Sequence, residues 1–496
     1  MSKLKRTLLS TAVVLLPFVS LPAPPAARAQ TAAPDEHRRL LFDIYKELVE
    51  TNTTDSAGNT TEAAEKVAAR LRAAGFPAED VQVVVHPGNA KKGNLVARLR
   101  GTGTRKPILL LAHLDVVEAK REDWSPDLDP FRLTERDGFY YGRGTVDDKA
   151  MAAIFVANLI RYRREGFKPD RDIVVALTAD EEGGGFNGAS WLVRNRRELV
   201  DAEFGFNEGG GGRERAGKAL FNGVQASEKF SRNFTLEVKN KGGHSSLPVK
   251  DNAIYTLAEG LARLSRFDFP VNLNEVTRAY FGRMASVETG QTAADMRALV
   301  KTGGADVAAA ARLSETAFYN SVMRTTCVAT RVEAGHANNA LPQTARANVN
   351  CRILPQDSPA DVEAALVRVL ADPKISVKMV VPSRAREEGQ DATAAAAARP
   401  PTERQSSPLD PKIIGEIERV TSELWPGVPV VPMMGTGATD SQPFRQAGIP
   451  MYGVSGLFTD IDDVRTHGKD ERIAVRRLYE GQEFLYRLVK SLSTPR

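Results

Sequence analysis

The sequence predicts an α/β protein, in which a mostly parallel sheet with helices on both faces carries an inserted α+β sandwich. Three observations support this fold class. Strand-like and helix-like segments alternate from Val81 to Gly210, the βαβ rhythm of a parallel sheet. A second group of alternating strands and amphipathic helices follows over residues 230–381. The chain has 496 residues, a length that favours two or more domains.

The first part of the chain supplies most of the large sheet. Its strands are short runs of apolar residues, as expected where a strand is buried on both faces. Its helices show an apolar stripe at helical spacing, clearest in the segment that follows Asp148. The predicted elements are helices at 37–49, 61–74 and 148–162 and strands at 107–112, 173–178 and 202–206.

The inserted unit is predicted to have four strands and two helices. The strands are expected at 230–239, 326–332, 345–353 and 375–381, and the helices at 252–264 and 361–370. After it, residues 382–408 combine an alanine tract, two prolines and charges, which is the composition of a flexible linker. The chain then returns to the large sheet through residues 413–424, 433–444 and 475–488.

These elements predict a division of the chain into five parts. The parts are a signal peptide at 1–29, a first part of the large domain at 35–225, the inserted domain at 226–385, a linker at 386–408 and a second part of the large domain at 409–496.

Residues 1–29 have the pattern of a secretory signal peptide. Three basic residues precede an apolar run from Leu8 to Leu21, and Ala27-Arg-Ala29 forms an A-x-A cleavage signal. An uncleaved membrane anchor is the alternative, but the apolar run is short and wrongly flanked for one. We therefore expect a periplasmic or secreted protein with no membrane-spanning segment after signal cleavage.

The charge of the chain gives no indication of a nucleic-acid partner. The formal net charge is +5, but the basic residues of the signal peptide contribute +4 of it, which leaves about +1 for the rest. The two cysteines, Cys327 and Cys351, lie in segments that could pair as antiparallel strands. A disulfide formed in an oxidising compartment and two small core residues are both consistent with this placement.

Acidic and histidine residues follow three of the predicted strands directly. His113 ends the first, Glu181 and Glu182 follow the second, and Glu208 follows the third. The carboxyl ends of parallel strands form the crevice in which such sheets bind ligands. Imidazole and carboxylate groups gathered there suit divalent zinc, with a further acid left to act as a base. A hydrogen-bonded histidine and a solvated acidic turn are the structural alternatives, but three strand ends converging on one rim favour a two-metal hydrolase.

Seven segments together resemble the co-catalytic zinc metallopeptidases of family M20, which include acetylornithine deacetylase, succinyl-diaminopimelate desuccinylase, carboxypeptidase G, carnosinase and aminoacylase. The segments occur in the family's order over nearly the whole chain after the signal peptide. They are LLLAHLDVV (109–117), YGRGTVDDKAM (141–151), TADEEGG (178–184), NEGGG (207–211), KGGHSSLP (241–248), NNALP (338–342) and RTHGKDERI (465–473).

The resemblance implies a pair of metal sites. His113 and Glu208 would hold one ion, Glu182 and His467 the other, and Asp147 would bridge the two. Two Zn²⁺ ions are expected, with Co²⁺ or Mn²⁺ as alternatives for such ligands.

The resemblance also implies two residues that act beside the metals. Asp115 would accept the other ring N–H of His113 and fix its tautomer. Glu181 would be the general base, taking a proton from the attacking water and passing it to the leaving amine. The Asp147–Asp148 peptide resembles one that is cis in the family.

Further residues are similar to the family's substrate-binding positions. His244 in the inserted domain resembles a histidine that stabilises the oxyanion, often in the active site of a neighbouring subunit. Asn339 and Arg352 match positions that bind the substrate's carbonyl and carboxylate. Gly437 and Thr439 belong to a glycine-rich loop of the kind that meets an anionic group. A turn histidine, a turn asparagine and a surface arginine are the alternatives for His244, Asn339 and Arg352, and a glycine-rich loop is weak evidence on its own.

One stretch sets the chain apart from the compact members of the family. Residues 277–325 are mostly helical and resemble the larger carboxypeptidase-S-like and N-acyl-amino-acid hydrolase branch. The expected function is therefore a zinc carboxypeptidase or aminoacylase-type hydrolase that cleaves an amide bond next to a free carboxylate. Its substrate would be a small peptide or an N-acyl amino acid, and a homodimer would form through the inserted domain, the family's lid. The alternatives are a dipeptidase and, in another class, a non-catalytic peptide-binding protein on the same scaffold.

Overall fold

The structure is a computed structural model that describes residues 36–380 and 406–494. The predicted signal peptide and residues 386–405 of the predicted linker lie outside the described residues. The helices, numbered α1 to α14, span Glu36–Val49, Thr60–Ala73, Lys149–Arg164, Gly188–Asn195, Arg197–Val200, Ala253–Leu264, Glu275–Met284, Gly290–Lys301, Val307–Ser314, Ala317–Met323, Pro359–Leu370, Pro411–Leu424, Ser441–Gln446 and Val475–Leu492.

The strands are numbered β1 to β19 in chain order. They span Val81–Val85, Gly93–Leu99, Ile108–His113, Thr134–Arg136, Phe139–Tyr141, Ile173–Thr178, Phe204–Asn207, Gly212–Arg215, Lys218–Glu228, Phe230–Lys239, Gly243–His244, Thr326–Ala334, Ala340–Leu341, Thr344–Ile353, Ile375–Met379, Val430–Gly435, Met451–Gly453, Phe458–Asp460 and Arg472–Ala474.

The large sheet has ten strands among the described residues, in the order β1-β2-β6-β3-β7-β17-β9-β8-β18, with β16 paired to β9. Its centre is parallel: β3 pairs in parallel with both β6 and β7, and β17 pairs in parallel with β7. Antiparallel pairs extend it toward both edges. The carboxyl ends of β6, β3 and β7 therefore lie side by side at one rim.

Helices cover both faces of this sheet, as predicted. Alternate side chains of β3 point to opposite layers because successive residues of a strand face opposite ways. Leu110 and Ala112 belong to the apolar cluster that contains residues of α1, α2, α3 and α14. Leu109 and Leu111 belong to the cluster formed with α4, α5 and α13. Each leucine fully buried in this way contributes about 1.5–3 kcal/mol to folding.

A second, antiparallel sheet has the strand order β12-β14-β10-β15. Helices α6 and α11 cover one of its faces and form a separate apolar cluster with it, which includes Leu257 and Leu366. This is the α+β sandwich predicted from the sequence, and we call it the lid. Cys327 of β12 and Cys351 of β14 form a disulfide, which settles the alternatives left open by the sequence.

Helices α7 to α10 lie between the lid helix α6 and the lid strand β12 in the chain, but they pack elsewhere. Their buried residues Phe281, Met296 and Val322 belong to the cluster of the large sheet. Helix α7 lies against strand β16. Helices α7 to α10 therefore extend the large domain rather than the lid.

None of the helices in the described ranges is long and apolar enough to cross a membrane.

Candidate metal centre

Three neighbouring strands deliver the first candidate ligands to one rim. His113 is the last residue of β3 and its side chain is buried. Glu182 lies in the loop that follows β6, and Glu208 directly follows β7. Since these strands are adjacent in the sheet, their ends bring together side chains that are far apart in the sequence.

His113, Asp147 and Glu208 form the first of two candidate metal-binding groups. Nε2 of His113 lies 3.0 Å from Oδ1 of Asp147 and 3.9 Å from Oε1 of Glu208. Asp147 precedes α3 and is joined to Asp148 by a cis peptide bond, as the resemblance implied. The backbone N–H of His113 donates to Oδ2 of Asp148 at 3.3 Å, which ties the end of β3 to the start of that helix.

Asp147, Glu182 and His467 form the second group. Nε2 of His467 lies 3.1 Å from Oδ2 of Asp147 and 2.8 Å from Oε1 of Glu182. In each group the ligand atoms lie within 4.8 Å of one another. Asp147 thus offers one carboxylate oxygen to each group, which is the arrangement a bridging ligand requires.

The close packing of acidic and imidazole side chains shifts the pKa values of several residues in the two groups. Burial and the charge of Asp147 raise the pKa of Glu208 well above its usual value. Although burial favours its neutral form, His113 has a strongly raised pKa because of the hydrogen bond to Asp147 and the charge of Glu208. Hydrogen bonds to Asp147 and Glu182 raise the pKa of His467 to about 10. Packing several carboxylates together is costly unless positive charge compensates them.

The residues present fit a pair of divalent ions. Both groups consist of imidazole nitrogen and carboxylate oxygen, which are zinc ligands and also suit cobalt or manganese. Each group supplies three donors, so that a four-coordinate ion would keep a position for water or substrate.

Glu181 lies beside the ligands without belonging to either group. Burial raises its pKa to about 9, with a smaller contribution from the charges of Asp440 and Glu182. Its backbone N–H donates to Oδ1 of Asp115 at 3.1 Å, and the N–H of Glu182 donates to Oδ2 at 3.0 Å. The Asp115 carboxylate therefore positions the backbone of Glu181 and Glu182 together.

The structure gives Asp115 a different contact with His113 from the one the sequence implied. Nδ1 of His113 lies 3.0 Å from the backbone oxygen of Asp115 and 3.7 Å from its Oδ1. The carbonyl is thus the nearer acceptor for the ring N–H, and it would fix the same tautomer.

Asp180 stabilises the turn that carries Glu181 and Glu182. It is a non-glycine residue with a φ of 58°. The Asp180 carboxylate forms a buried ion pair with Lys92. It also accepts the N–H of Phe186 at 2.9 Å. Gly184 has a φ of 116°, and a Cβ there would lie 2.5 Å from Oδ2 of Asp180. A glycine at position 184 is therefore needed for the turn to pack against Asp180.

Sequence reasoning missed Glu471 and Arg143, which hold the loops of Asp147 and His467 together. Both are buried, and Nη1 of Arg143 donates to Oε2 of Glu471 at 2.7 Å. Glu471 also accepts the backbone N–H groups of Gly144, Val146 and Asp147. Nη2 of Arg143 donates to the backbone oxygen of Gly468, next to His467, at 3.0 Å. Their presence inside two of the family-like segments was the available signal.

The structure brings His244 and Asn339 together in the lid. The strand pair β11–β13 places them side by side, and the N–H of Ser245 donates to the backbone oxygen of Asn339 at 2.9 Å. Both side chains are exposed. In the part of the chain that the structure describes, the His244 ring contacts Ser246, at 2.7 Å, and forms no hydrogen bond or ion pair with the metal groups. Arg352 lies on the lid strand β14, likewise without such a contact among the described residues.

The glycine-rich loop after β16 contains Gly437, which is exposed, and Thr439, which is partly buried. The hydroxyl and the N–H of Thr439 donate to Oε2 of Glu228 at 2.9 and 3.0 Å. Glu228 is in turn paired with Arg445 at 2.9 Å. The Thr439 hydroxyl thus holds the loop to strand β9, while Gly437 leaves its backbone open to solvent.

Comparison with known proteins agrees with this geometry. The sequence profile of Peptidase family M20/M25/M40 matches residues 109–491. The chain is 28% identical over 427 residues to N-fatty-acyl-amino acid synthase/hydrolase PM20D1 of Xenopus tropicalis, an alignment that covers 78% of this chain and 73% of that protein. It is 28% identical over 400 residues to "Probable carboxypeptidase S-like 2" of Dictyostelium discoideum, with 78% and 72% covered.

Among solved structures, the fold is similar to that of an M20 family metallo-carboxypeptidase from Sulfolobus solfataricus. The TM-score is 0.62 at 16% sequence identity, and 92% of this chain and 99% of that chain are covered. This likeness confirms the predicted fold. With the profile match over most of its length, the chain belongs to Peptidase family M20/M25/M40, close to the PM20D1 and carboxypeptidase S-like proteins, and is a hydrolase of the metallopeptidase and amidohydrolase type.

Proposed function

We propose that the protein is a two-metal hydrolase that cleaves a peptide or N-acyl amide bond next to a free carboxylate, with Glu181 as the general base. The observation that carries this proposal is the pair of three-residue groups that share Asp147. A binding protein has no need of a base, whereas Glu181 lies beside these groups and belongs to neither.

The reaction divides between the bound ions and the chain. Two divalent ions at these groups, zinc by preference, would polarise the scissile carbonyl and lower the pKa of the attacking water. Glu181 takes the proton from that water and later delivers it to the leaving amine, so that one residue is first base and then acid. Asp115 holds the backbone of Glu181, which keeps the carboxylate at the same place during both transfers.

Substrate recognition is assigned to the lid and the glycine-rich loop. Arg352 offers a planar fork of donors that matches a carboxylate, and Asn339 offers an amide to the carbonyl. Gly437 would contribute its backbone N–H group, and Thr439, whose N–H and hydroxyl donate to Glu228, would hold the loop in place for the substrate. Proteins similar to this one carry the names N-fatty-acyl-amino acid synthase/hydrolase and carboxypeptidase S-like, which favours an N-acyl amino acid or a peptide as the substrate. A dipeptidase is the second candidate.

We further propose a homodimer formed through the lid, in which His244 reaches the active site of the neighbouring subunit and stabilises the oxyanion. The lid exposes apolar side chains and an unpaired strand edge, which such an interface could bury. Strand β12 is an edge strand whose Val328 and Val332 are 60% and 59% exposed, and Tyr255 of α6 is 59% exposed. Apolar side chains around an unpaired strand edge favour association with a second copy.

The signal-peptide pattern of residues 1–29 supports a periplasmic or secreted location, and no feature of the charge favours a nucleic-acid partner.

The test is turnover of dipeptides and N-acyl amino acids by the zinc-loaded chain without residues 1–29, with products identified by mass spectrometry. Glu181→Gln should retain both metals and lose turnover. Glu182→Gln is the matched control, because it should lose turnover together with metal. Turnover retained in Glu181→Gln would refute its assignment as the base. A metal-loaded wild-type protein that binds these compounds and cleaves none would favour the peptide-binding alternative.

A further inference from the structure

A large cavity opens beside the metal centre. It measures about 1220 Å³, and Asp147 and Glu208 lie in its wall. Tyr280 of helix α7 and Phe318 of helix α10 also line it. Known ligand pockets measure about 300–1,000 Å³, so this space accommodates a substrate portion of considerable size.

Arg213 of strand β8 lines the same cavity and is partly buried. Its Nη1 donates to the hydroxyl of Thr459 on the neighbouring strand β18 at 2.6 Å. Among residues 36–380 and 406–494, no carboxylate lies within ion-pair distance of the Arg213 guanidinium, and the bond to Thr459 is the only hydrogen bond that this guanidinium makes. A guanidinium has five N–H donors, so most of the donors of Arg213 remain available.

Other arginines in the interior of the large domain have a carboxylate partner, unlike Arg213. Arg143 pairs with Glu471 at 2.7 Å, Arg445 pairs with Glu228 at 2.9 Å, and Arg477 pairs with Glu214. Each thereby offsets the cost of removing a cation from water. Burial lowers the pKa of the Arg213 guanidinium, and the nearby Tyr280 phenol opposes this only in part. Because arginine does not lose its proton, the charge persists without an acidic partner from the described residues.

Arg213 is also close to the reacting centre. Arg213 follows Glu208 by five positions in the chain, so their Cα atoms are at most roughly 18 Å apart. An extended substrate bound at the metal groups could therefore direct a charged end toward Arg213 through the cavity.

We propose that Arg213 binds a carboxylate of the substrate inside this cavity, as a specificity-determining residue distinct from the lid arginine Arg352. This inference rests on the proposed hydrolase function. The carboxylate replaces the missing acidic partner and makes charge-assisted hydrogen bonds with the guanidinium fork. Two sources share this chemistry: the free carboxylate on the amine side of the scissile bond, and a carboxylate at the far end of the acyl group.

Three probes separate these sources: N-octanoylglycinamide has no carboxylate, N-octanoylglycine has one on the amine side, and N-suberoylglycinamide has one on the acyl side. Their binding is measured by calorimetry on the metal-loaded Glu181→Gln protein, which binds without turnover. Arg213→Met should weaken the binding of one of the two carboxylate probes by about tenfold to a hundredfold. This is the change in affinity expected for the loss of one hydrogen bond to a charged group. The neutral probe should be unaffected.

Arg215→Met is the matched control. Arg215 lies two residues along the same strand and also borders the cavity, but it is exposed and pairs with Asp462 at 2.9 Å. Its removal should leave the binding of all three probes unchanged. The melting temperature provides a second measurement: Arg213→Met should be at least as stable as Arg215→Met, because it removes a poorly compensated cation.

The outcomes are distinguishable from those of the function test. Equal weakening of all three probes, or no weakening of either carboxylate probe, would overturn the inference even if the wild-type protein is an active hydrolase. A fall in melting temperature with unselective loss of binding would assign Arg213 a structural function instead. Selective loss of one carboxylate probe supports the inference and names the side of the substrate, whether or not wild-type turnover has been found.

Discussion

Oε1 of Glu471 accepts a hydrogen bond from the backbone N–H of Asp147 at 3.2 Å, although the two residues are 324 positions apart. The same oxygen accepts the N–H of Val146 at 2.8 Å. The residue that both candidate groups share is thus oriented by a carboxylate that belongs to neither group. Glu471 is buried, and its nearness to His467 in the chain links the two loops that carry ligands.

The first prediction concerns this contact. Glu471→Gln keeps the size of the side chain but replaces one acceptor oxygen with an NH₂ group that faces backbone N–H donors or Arg143. We expect the dissociation constant for the metals to rise about 10–100-fold, the usual effect of removing a group that orients a ligand. Competition with a chromogenic chelator measures it.

Asp463→Asn is the control for this variant. Asp463 lies in the same loop and pairs with Arg465 and Arg472, but it accepts no backbone N–H of the Asp147 loop. Metal affinity should remain that of the wild type. If Glu471→Gln retained both metals as tightly as the control, the orienting function of Glu471 would be refuted.

The second prediction concerns the buried pair of Lys92 and Asp180, whose side chains are 6% and 1% exposed. Lys92→Met leaves the Asp180 carboxylate without a cation beneath the turn of Glu181. Removing one partner of a buried pair costs about 3–5 kcal/mol in the free energy of unfolding. Urea denaturation of the metal-loaded protein measures this loss.

The double variant Lys92→Met/Asp180→Asn should recover part of the stability, because it removes the unpaired charge as well. Equal losses in the single and the double variant would show that Lys92 acts through packing rather than through its charge.

The residues of the two candidate groups stood out in the sequence because their chemistry is local. A histidine or an acid that ends a buried strand stands out against its apolar neighbours, as His113 does after residues 108–112. The topology of a parallel sheet then brings such residues together. Glu471 and Arg143 gave no comparable signal, since their function lies in contacts with backbone groups of a distant loop.

The fold was predictable to a similar degree, and its gaps have a physical cause. Apolar runs predicted the central strands, but the pattern rules do not predict strand β9. Its buried residues include Asn222, Gln225 and Glu228, which are polar. Partners from elsewhere in the chain satisfy them: Asn222 donates to the Thr421 hydroxyl at 3.0 Å. Such a strand looks exposed in the sequence because its hydrogen-bond partners come from other elements.

The third prediction is the effect of pH on the metal-free protein. Glu181 has a pKa of about 9 in the folded chain against 4.5 ordinarily, because burial disfavours its charge. His467 has a pKa of about 10 against 6.5. The folded state therefore binds more protons than the unfolded state between these values. Stability is fully present below the lower pKa of each group and is lost as the pH rises toward the higher one.

Urea midpoints of the chelator-treated protein should consequently fall as the pH rises from about 5 to about 9. Saturating zinc should stabilise the protein most at the upper end, since metal binding requires deprotonated ligands. Glu181→Gln removes one of the titrating groups and should show a shallower fall. Midpoints that rise with pH in the metal-free wild type would contradict the assigned protonation of the site.

The fourth prediction tests whether His244 acts across a dimer. The His244→Ala and Glu181→Gln proteins should each be nearly inactive when expressed alone. The first lacks the oxyanion donor and the second lacks the base. When the two are co-expressed, a mixed dimer contains one site with an intact Glu181 that receives His244 from its partner. Activity should then return to about a quarter of the wild-type value at equal expression, because half of the dimers are mixed and each has one complete site.

The dependence on geometry makes this result specific. If His244 served the site of its own chain, the mixed dimer would contain one site without the base and one without the histidine, and co-expression would restore nothing. The control is a chain that carries both substitutions, co-expressed with the wild-type chain. In that mixed dimer neither site has both Glu181 and a His244 from its partner, so complementation cannot occur and only wild-type dimers are active. Val332→Glu on the exposed edge strand β12 should abolish the recovery by preventing dimer formation, detected as a change in molar mass by light scattering.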